Sequence, residues 1–350
     1  MIPQRTIPPT AALLPFGNLL RSAGSLWGGK KQRARLVREL KAHYAVRAVF
    51  LVSSGKAALA VILKALAGVR RRRRVIIPAY TCFSVPSSVV KAGLDVVLCD
   101  VDPETLDFKF AELEGLLDEN VLCVVSTHLF GRPADIRRVK QLCARKGIFV
   151  VEDAAQAMGG QVGDRLLGTI GDVGFYSLGR GKNMTCGTGG IIVTSSVPIA
   201  EAIEAEYESL SEASWLDVFR NWLELLVMRV FIHPALYWFP AGLPFLGLGE
   251  TKFYTHFPMC RMDEVRAHLL NGWQGRLARS NQERSSRAQW LVAGLDLARR
   301  GVKPIMGEGS LFLRLPVLVR GREAKEAICQ LSLEQGAGLS QNYPATIQEI

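Results

Sequence analysis

Two neighbouring stretches decide how this chain reads: Ile148-Phe-Val-Val-Glu152-Asp153-Ala-Ala-Gln156 and Gly171-Asp-Val-Gly-Phe-Tyr-Ser177-Leu-Gly-Arg-Gly-Lys182-Asn-Met-Thr-Cys-Gly187-Thr-Gly189-Gly190. The first is a short apolar run closed by two acids, the pattern of a strand buried in a parallel sheet. The second sets a lysine in a Gly-rich loop just before another apolar run, Ile191-Ile-Val-Thr194. Side chains alternate along a strand, so Glu152 and Asp153 face opposite ways. Asp153 is the better partner for a site shared with Lys182.

Outward from this centre, strand and helix patterns alternate. Val46 to Val52, Val75 to Pro78, Val96 to Cys99 and Val121 to Ser126 read as strands. Helical patterns fall at Gln32 to His43, Gly55 to Leu66, Ser84 to Ala92, Phe110 to Leu117 and Ile136 to Lys146. Such alternation predicts an α/β fold with a large, mainly parallel sheet covered by helices. Ligands of such sheets sit at the carboxyl ends of the strands. Gly55, Thr81, His128, Asp153 and Lys182 all fall there or in adjoining turns.

Composition narrows the class. The chain has 350 residues, 49% of them hydrophobic, enough for one large domain or two smaller ones. Its net charge of +11 fits an anionic ligand, nucleic acid or a membrane surface. No nucleic-acid-binding motif accompanies the charge, so no nucleic-acid partner is expected. Seven cysteines, none in a C-x-x-C pair, point to reduced thiols in a cytoplasm and to no metal site. The N-terminus carries no signal-peptide pattern.

A strand ending in an acid and a lysine in a Gly-rich loop suit pyridoxal 5'-phosphate. That cofactor needs a lysine for its Schiff base and an acid for its pyridine nitrogen. A P-loop is excluded, because Tyr176 and Asn183 stand where it needs Gly and Ser or Thr. A dinucleotide site lacks its Gly-x-Gly-x-x-Gly turn after the first strand. Ser53-Ser54-Gly55-Lys56 opens a helix whose free N–H groups suit a phosphate. Ser177 adds a hydroxyl. For the ring's face three candidates stay open in one loop: Tyr80, Phe83 and the sulfur of Cys82.

Five segments taken together resemble the DegT/DnrJ/EryC1/StrS family of sugar aminotransferases. They are Val52-Ser-Ser-Gly55-Lys-Ala-Ala-Leu59, Val75-Ile-Ile-Pro78-Ala-Tyr-Thr81, Thr127-His128-Leu-Phe-Gly131 with Asp135, Asp153-Ala-Ala-Gln156, and Ser177 to Lys182. Their order and spacing match from about Arg33 to Thr194, and the likeness returns around Arg261 and from Phe312 to Pro344. The resemblance implies a PLP-dependent transferase of fold type I, with Gln156 against the cofactor ring. It implies ping-pong transfer of an amino group from glutamate or glutamine to a nucleotide-linked keto sugar, by a homodimer. Relatives that dehydrate sugars carry His in place of the lysine, and Lys182 argues against that branch. Several positions depart from the family. Lys56 stands for Thr, Cys82 for Phe or Trp, Gly179 for His, and Met259 for an Asn that reaches a neighbour's phosphate. A non-catalytic homologue, serving as a binding or assembly subunit, is the rival reading.

The expected organisation is an irregular arm at 1–30, a cofactor-binding domain at 31–200, a helical crossover at 201–260 and a small α+β domain at 261–350. The family continues for a few dozen residues past its Tyr-Pro stretch, so the resemblance implies a last domain cut short. Trp215 to Leu248 is apolar, broken by charges and prolines. It reads as a crossover buried in the domain or in a dimer interface; contact with a membrane surface, helped by Arg70 to Arg74, is the minority reading. A long helix is expected from Asp263 to about Trp290, a strand over Leu311 to Val317 and a helix over Arg322 to Gln335.

Overall fold

The computed structural model describes residues 7–8, 14–26, 31–243, 252–295, 301–341, 343 and 345–349. In chain order its helices are α1 (Phe16–Ser22), α2 (Lys31–Tyr44), α3 (Gly55–Val69), α4 (Ser84–Lys91), α5 (Phe110–Leu116), α6 (Ile136–Ala144), α7 (Val197–Glu208), α8 (Trp215–Phe231), α9 (Pro234–Ala241), α10 (Glu264–Leu269), α11 (Trp273–Gly294) and α12 (Arg322–Gln335). Its strands are β1 (Ala48–Val52), β2 (Arg74–Pro78), β3 (Asp95–Cys99), β4 (Val121–Thr127), β5 (Phe149–Asp153), β6 (Gln161–Val162), β7 (Arg165–Leu166), β8 (Val173–Ser177), β9 (Gly190–Thr194), β10 (Val302–Pro304) and β11 (Val317–Val319).

Seven of the strands form one sheet in the order β1-β9-β8-β5-β4-β2-β3. The run from β3 through β2, β4 and β5 to β8 is parallel; β9 is antiparallel to both β8 and β1. All seven residues of β4 are buried, as a strand covered on both faces requires. One face carries α3, whose Leu59, Val61, Ile62, Leu63 and Leu66 are all buried. At about 1.5–3 kcal/mol for each large apolar side chain, their burial outweighs the ~1 kcal/mol of its Ser54 cap. Burial therefore sets where α3 lies, and the cap sets only where it begins. The other face is filled by two clusters. Leu36, Leu40, Tyr44 and Trp273 cover β1 and β9. Phe108, Leu113, Ile136, Val139 and Cys143 cover β2 and β4.

Glycines permit one crossing that matters for the site. A Cβ on Gly174 in β8 would overlap the carbonyl oxygen of Gly168, and one on Gly168 would overlap the Tyr176 hydroxyl. The loop before β8 can therefore lie directly on that strand.

Some expectations are corrected. The arm expected to be irregular contains α1, because Leu19 is buried against the core shared with α2 and α10. Parts of that arm (1–6, 9–13 and 27–30) and the 244–248 end of the apolar stretch lie outside the described residues. The single helix expected from Asp263 is two, broken where Gly272 takes a left-handed φ of 67°. Leu311 to Pro316 is not a strand: Phe312 turns left-handed at φ 49°, and regular pairing begins only at Val317. No helix follows Asp153, so Gln156 sits in a turn rather than at a helix start.

The apolar segment beginning at Trp215 forms α8 and α9, and only Leu225 on α8 is buried. Trp215 is 52% exposed, Leu216 71% and Val227 50%. Burial within the domain is thus overturned: the charges at Asp217, Arg220 and Glu224 share this helix with the apolar residues. No helix of the described residues is long and apolar enough to cross a membrane.

Candidate active site

The frame of the site is a buried hydrogen-bond network at the ends of β4 and β5. Glu152 and His128 are fully buried. The Nδ1 of His128 accepts from the Ala134 N–H at 2.9 Å, so its proton lies on Nε2, which donates to Glu152 Oε1 at 2.8 Å. The same oxygen accepts from the Gly168 N–H at 2.6 Å; Oε2 accepts from those of Ile170 and Gly171, each at 2.7 Å. Burial pushes this carboxyl up, but the bonds from His128, Gly168 and Gly171 outweigh it and hold it below its ordinary value. Both residues serve structure, joining the loop after β4 to the loop before β8.

Asp153, one residue on, faces the other way. Its Oδ1 accepts from the Ala155 N–H at 3.0 Å, and Thr127 Oγ1 donates to its Oδ2 at 3.5 Å. Burial raises its pKa, opposed by the Ala155 N–H and by the nearby Lys182. Lys182 follows β8 in a tightly anchored loop. Its N–H donates to Gly179 O at 3.1 Å, and Leu178 N donates to Gly189 O at 2.8 Å. Next to it, Asn183 Nδ2 donates to Asn281 Oδ1 on α11 at 2.9 Å. Arg180 pairs with Glu224 of α8 at 3.0 Å. Burial lowers the Lys182 pKa; Cys82 and Asp153 oppose the shift and Arg314 adds to it. Lys182 and Asp153 influence each other without forming an ion pair: burial works against the charged form of both.

Gln156 stands beside them. Its Oε1 accepts from the Phe130 N–H at 3.1 Å, and its Nε2 donates to the Tyr343 hydroxyl at 3.0 Å. Tyr343 packs edge-on against Tyr80, with ring centroids 5.3 Å apart. Of the three candidates for a ring contact, Cys82 packs on the cluster of Leu129, Phe130 and Tyr343 and acts electrostatically on Lys182, Tyr80 leans on Tyr343, and Phe83 is consumed by the core around α3.

The phosphate end is built at the start of α3. Ser54 Oγ accepts from the Ala57 N–H at 3.1 Å, and the Gly55 and Lys56 N–H groups open the helix. A Cβ on Gly55 would lie 2.8 Å from Ser177 Cβ and 2.9 Å from its Oγ. Gly55 therefore keeps open the space where the helix and the Ser177 hydroxyl meet. Lys56 contributes only its backbone here, because its ammonium sits 3.5 Å from the centroid of the Tyr254 ring. Thr81 Oγ1, in the loop after β2, is buried without a partner among the described residues. An amine with lowered pKa, a buried carboxylate, an open helix N-terminus and an orphaned hydroxyl fit the donor set that pyridoxal phosphate needs.

The chain matches the DegT/DnrJ/EryC1/StrS aminotransferase family over residues 18–226. It belongs to that family. Among curated relatives, the L-glutamine:2-deoxy-scyllo-inosose aminotransferase of Streptomyces kanamyceticus is 31% identical over 202 residues, 56% of this chain and 47% of that protein. The aligned part spans less than half the length of the first curated relatives. Helicobacter pylori PseC, an aminotransferase of pseudoaminic acid biosynthesis, shares the fold with a TM-score of 0.74 at 15% identity, covering 95% of this chain and 83% of that one. The E. coli GDP-4-keto-6-deoxy-D-mannose-3-dehydratase with bound hydrated PLP does so at 0.71 and 14% identity, covering 96% and 84%.

Sequence reasoning missed Arg314, Tyr343 and Thr127 as neighbours of the site. One charge inside the apolar run Leu311-Phe-Leu-Arg314-Leu-Pro was the available signal. Thr127 and Tyr343 had none beyond their place in family motifs.

The Glu152 network yields a stability test. In Glu152→Gln an amide NH2 must face N–H donors that the carboxylate now satisfies. The loss is expected to be about 2–5 kcal/mol, read as a lower urea midpoint. Because the folded pKa of Glu152 is depressed, its contribution is full above its unfolded value and vanishes as pH falls through the folded one. The parent and Gln variant therefore converge in acid; a constant gap down to low pH contradicts the role given to Glu152.

Proposed function

We propose that this chain is a pyridoxal 5'-phosphate-dependent aminotransferase. It moves an amino group from glutamate or glutamine to a keto sugar linked to a nucleotide, by ping-pong turnover. One observation carries the reading: the buried Asp153 ends β5 and Lys182, its pKa lowered by burial, follows the neighbouring β8, whose Ser177 meets the open start of α3. Lys182 would hold the cofactor covalently. Asp153 would sit at the ring nitrogen, with Gln156 and Cys82 against the ring. Ser54, Ser177 and the N–H groups of Gly55 and Lys56 would take the phosphate. When bound, the group supplies an electron sink to the carbon bearing the migrating amine.

The chain's own residues do the rest. In its neutral form, which burial favours, the Lys182 amine can attack a carbonyl carbon and afterwards carry a proton to and from the reacting carbon. A buried Asp153 carboxylate would keep a positive charge at the ring nitrogen favourable. The names of relatives support donor, cofactor and substrate class in turn: one takes its amine from glutamine, a structural neighbour carries PLP, and another relative aminates a UDP-linked dehydro sugar. Lys182, where dehydrating relatives have His, favours amination. The reading includes a cofactor-binding part at 31–200, a crossover at 201–260, a small domain at 261–350 and a cytoplasmic home. It also includes a homodimer, since Trp215, Leu216, Phe219, Leu223 and Val227 on α8 are more apolar surface than a soluble monomer ordinarily leaves wet.

Three outcomes are expected. Borohydride treatment of protein loaded with pyridoxal phosphate fixes the cofactor to the peptide bearing Lys182, and Lys182→Ala loses the label; a label on another lysine refutes the site. Asp153→Asn keeps the cofactor but slows the donor half-reaction on the order of a hundredfold or more, followed as loss of visible absorbance after mixing with glutamate or glutamine. An Asn variant as fast as the parent leaves Asp153 a mere turn cap, and a loaded parent inert to every donor favours the non-catalytic reading. Light scattering at micromolar concentration gives twice the chain mass; a monodisperse monomer rejects the dimer.

A further inference from the structure

The protein itself occupies three members of the arginine run Arg70 to Arg74. Arg72 Nη1 donates to Val121 O at 3.0 Å and to Lys146 O at 3.2 Å, Arg73 pairs with Asp95 at 3.4 Å, and Arg74 pairs with Asp118. Arg71 is exposed. Arg70 is different. It is half-buried, its guanidinium lies 4.7 Å from the centroid of the Phe149 ring, and it makes no hydrogen bond or ion pair among the described residues. A Cβ on Gly147 would overlap its Nη1, so the glycine there makes room for the guanidinium.

Arg70 lines a cavity of about 230 Å³ at the amino ends of β5 and β8. Lys140 of α6 lines it too. Its ammonium donates to Ile170 O at 3.1 Å and meets Asp172 Oδ1 at 3.3 Å, which leaves one of its three protons. Asp172 is the one acid on the wall among the described residues, and its Oδ2 already accepts from the Val150 N–H at 2.8 Å. The start of α7 joins the wall at Ser196, whose side chain makes no cap bond. Pro198 has no N–H, so the open donors of that first turn are those of Val197 and Ile199. Two cations and an open helix start stand against one acid whose oxygens are both engaged, a balance that favours an anion. The cavity lies a strand's length from Asp153, on the order of 15 Å, so it is separate from the cleft of Lys182.

We propose that this cavity binds the phosphate group of a small molecule. The donors come from three separate elements: the end of α3, α6 and the start of α7. A phosphate presents oxygens on every side and can meet all three. A carboxylate has two oxygens in one plane and leaves one element unused. The volume is several times the ~30 Å³ of a water molecule, which leaves room beside the phosphate for a short organic group against Ile148 and Ile199. The bound group ties the amino ends of β5 and β8 to α6 and α7, so it stabilises the folded chain.

The test uses the full chain loaded with pyridoxal phosphate, so that the start of α3 is filled, as parent, Arg70→Gln, Arg70→Lys and Lys140→Gln. Calorimetry measures binding of inorganic phosphate, glycerol 3-phosphate and acetate. The parent binds the phosphates saturably, melts at a higher temperature with them, and binds acetate at least about 10-fold more weakly. Both Gln variants lose roughly 10- to 100-fold in phosphate affinity, and Arg70→Lys loses less. Glycerol 3-phosphate bound more tightly than inorganic phosphate identifies a phosphomonoester as the occupant; otherwise it is the free ion. A parent that binds neither phosphate, equal affinity in parent and Arg70→Gln, or acetate bound as tightly as phosphate overturns the proposal. Where Lys140→Gln loosens Asp172 and lowers the melting temperature by itself, the Arg70 variants decide, because that side chain holds no hydrogen bond of the fold.

Discussion

One buried carboxylate organises this molecule. Glu152 takes four hydrogen bonds while fully buried: one from His128 and three from the backbone before β8. Those contacts tie together three chain segments that are far apart in sequence. With the loop before β8 held, Gly174 lies against Gly168, and β8 delivers Ser177 and Lys182 to the edge where Asp153 ends β5. A buried network of this kind is costly when partly satisfied and rigid when fully satisfied. Here every oxygen has its donors.

Alternation along β5 divides the labour between two adjacent acids. Glu152 points into the frame, where its charge is neutralised by donors. Asp153 points into the cleft, where one N–H and one long hydroxyl bond leave its charge under-compensated. Lys182 is in the complementary position: burial favours its neutral form, and the nearest carboxylate stops short of an ion pair. The geometry holds both groups ready for a third body rather than for each other.

The second half of the chain serves the site by bracing it. Asn281 of α11 holds Asn183, Glu224 of α8 holds Arg180, and Leu225 packs against Gly187, so the lysine loop is gripped at three points. In α8 the residues that brace the loop alternate with apolar residues that face outward. This explains how a segment so apolar can be largely exposed in one chain: its buried contacts are few and local.

Much of the sheet was legible in the sequence, because a strand buried on both faces must be apolar and must end where its ligand-bearing residues begin. The positions of Asp153, Ser177, Lys182 and the start of α3 follow from that rule and from local turn chemistry. The choice between Glu152 and Asp153 was legible too, from period-two alternation alone. Other features depend on contacts between distant segments. Leu311 to Pro316 is as apolar as a strand, yet it has no strand to pair with and is bent by its clamps to Gly131 and α11. Phe83 and Cys82 are neighbours, but only packing decides that one enters the core around α3 and the other joins the small cluster of Leu129, Phe130 and Tyr343. Glu224 of α8, 44 residues from Arg180 in the chain, meets it only when α8 packs against the lysine loop. Local pattern determines which face a side chain takes; which distant charge it meets there is decided by the tertiary fold, since electrostatic contact depends on distance in space.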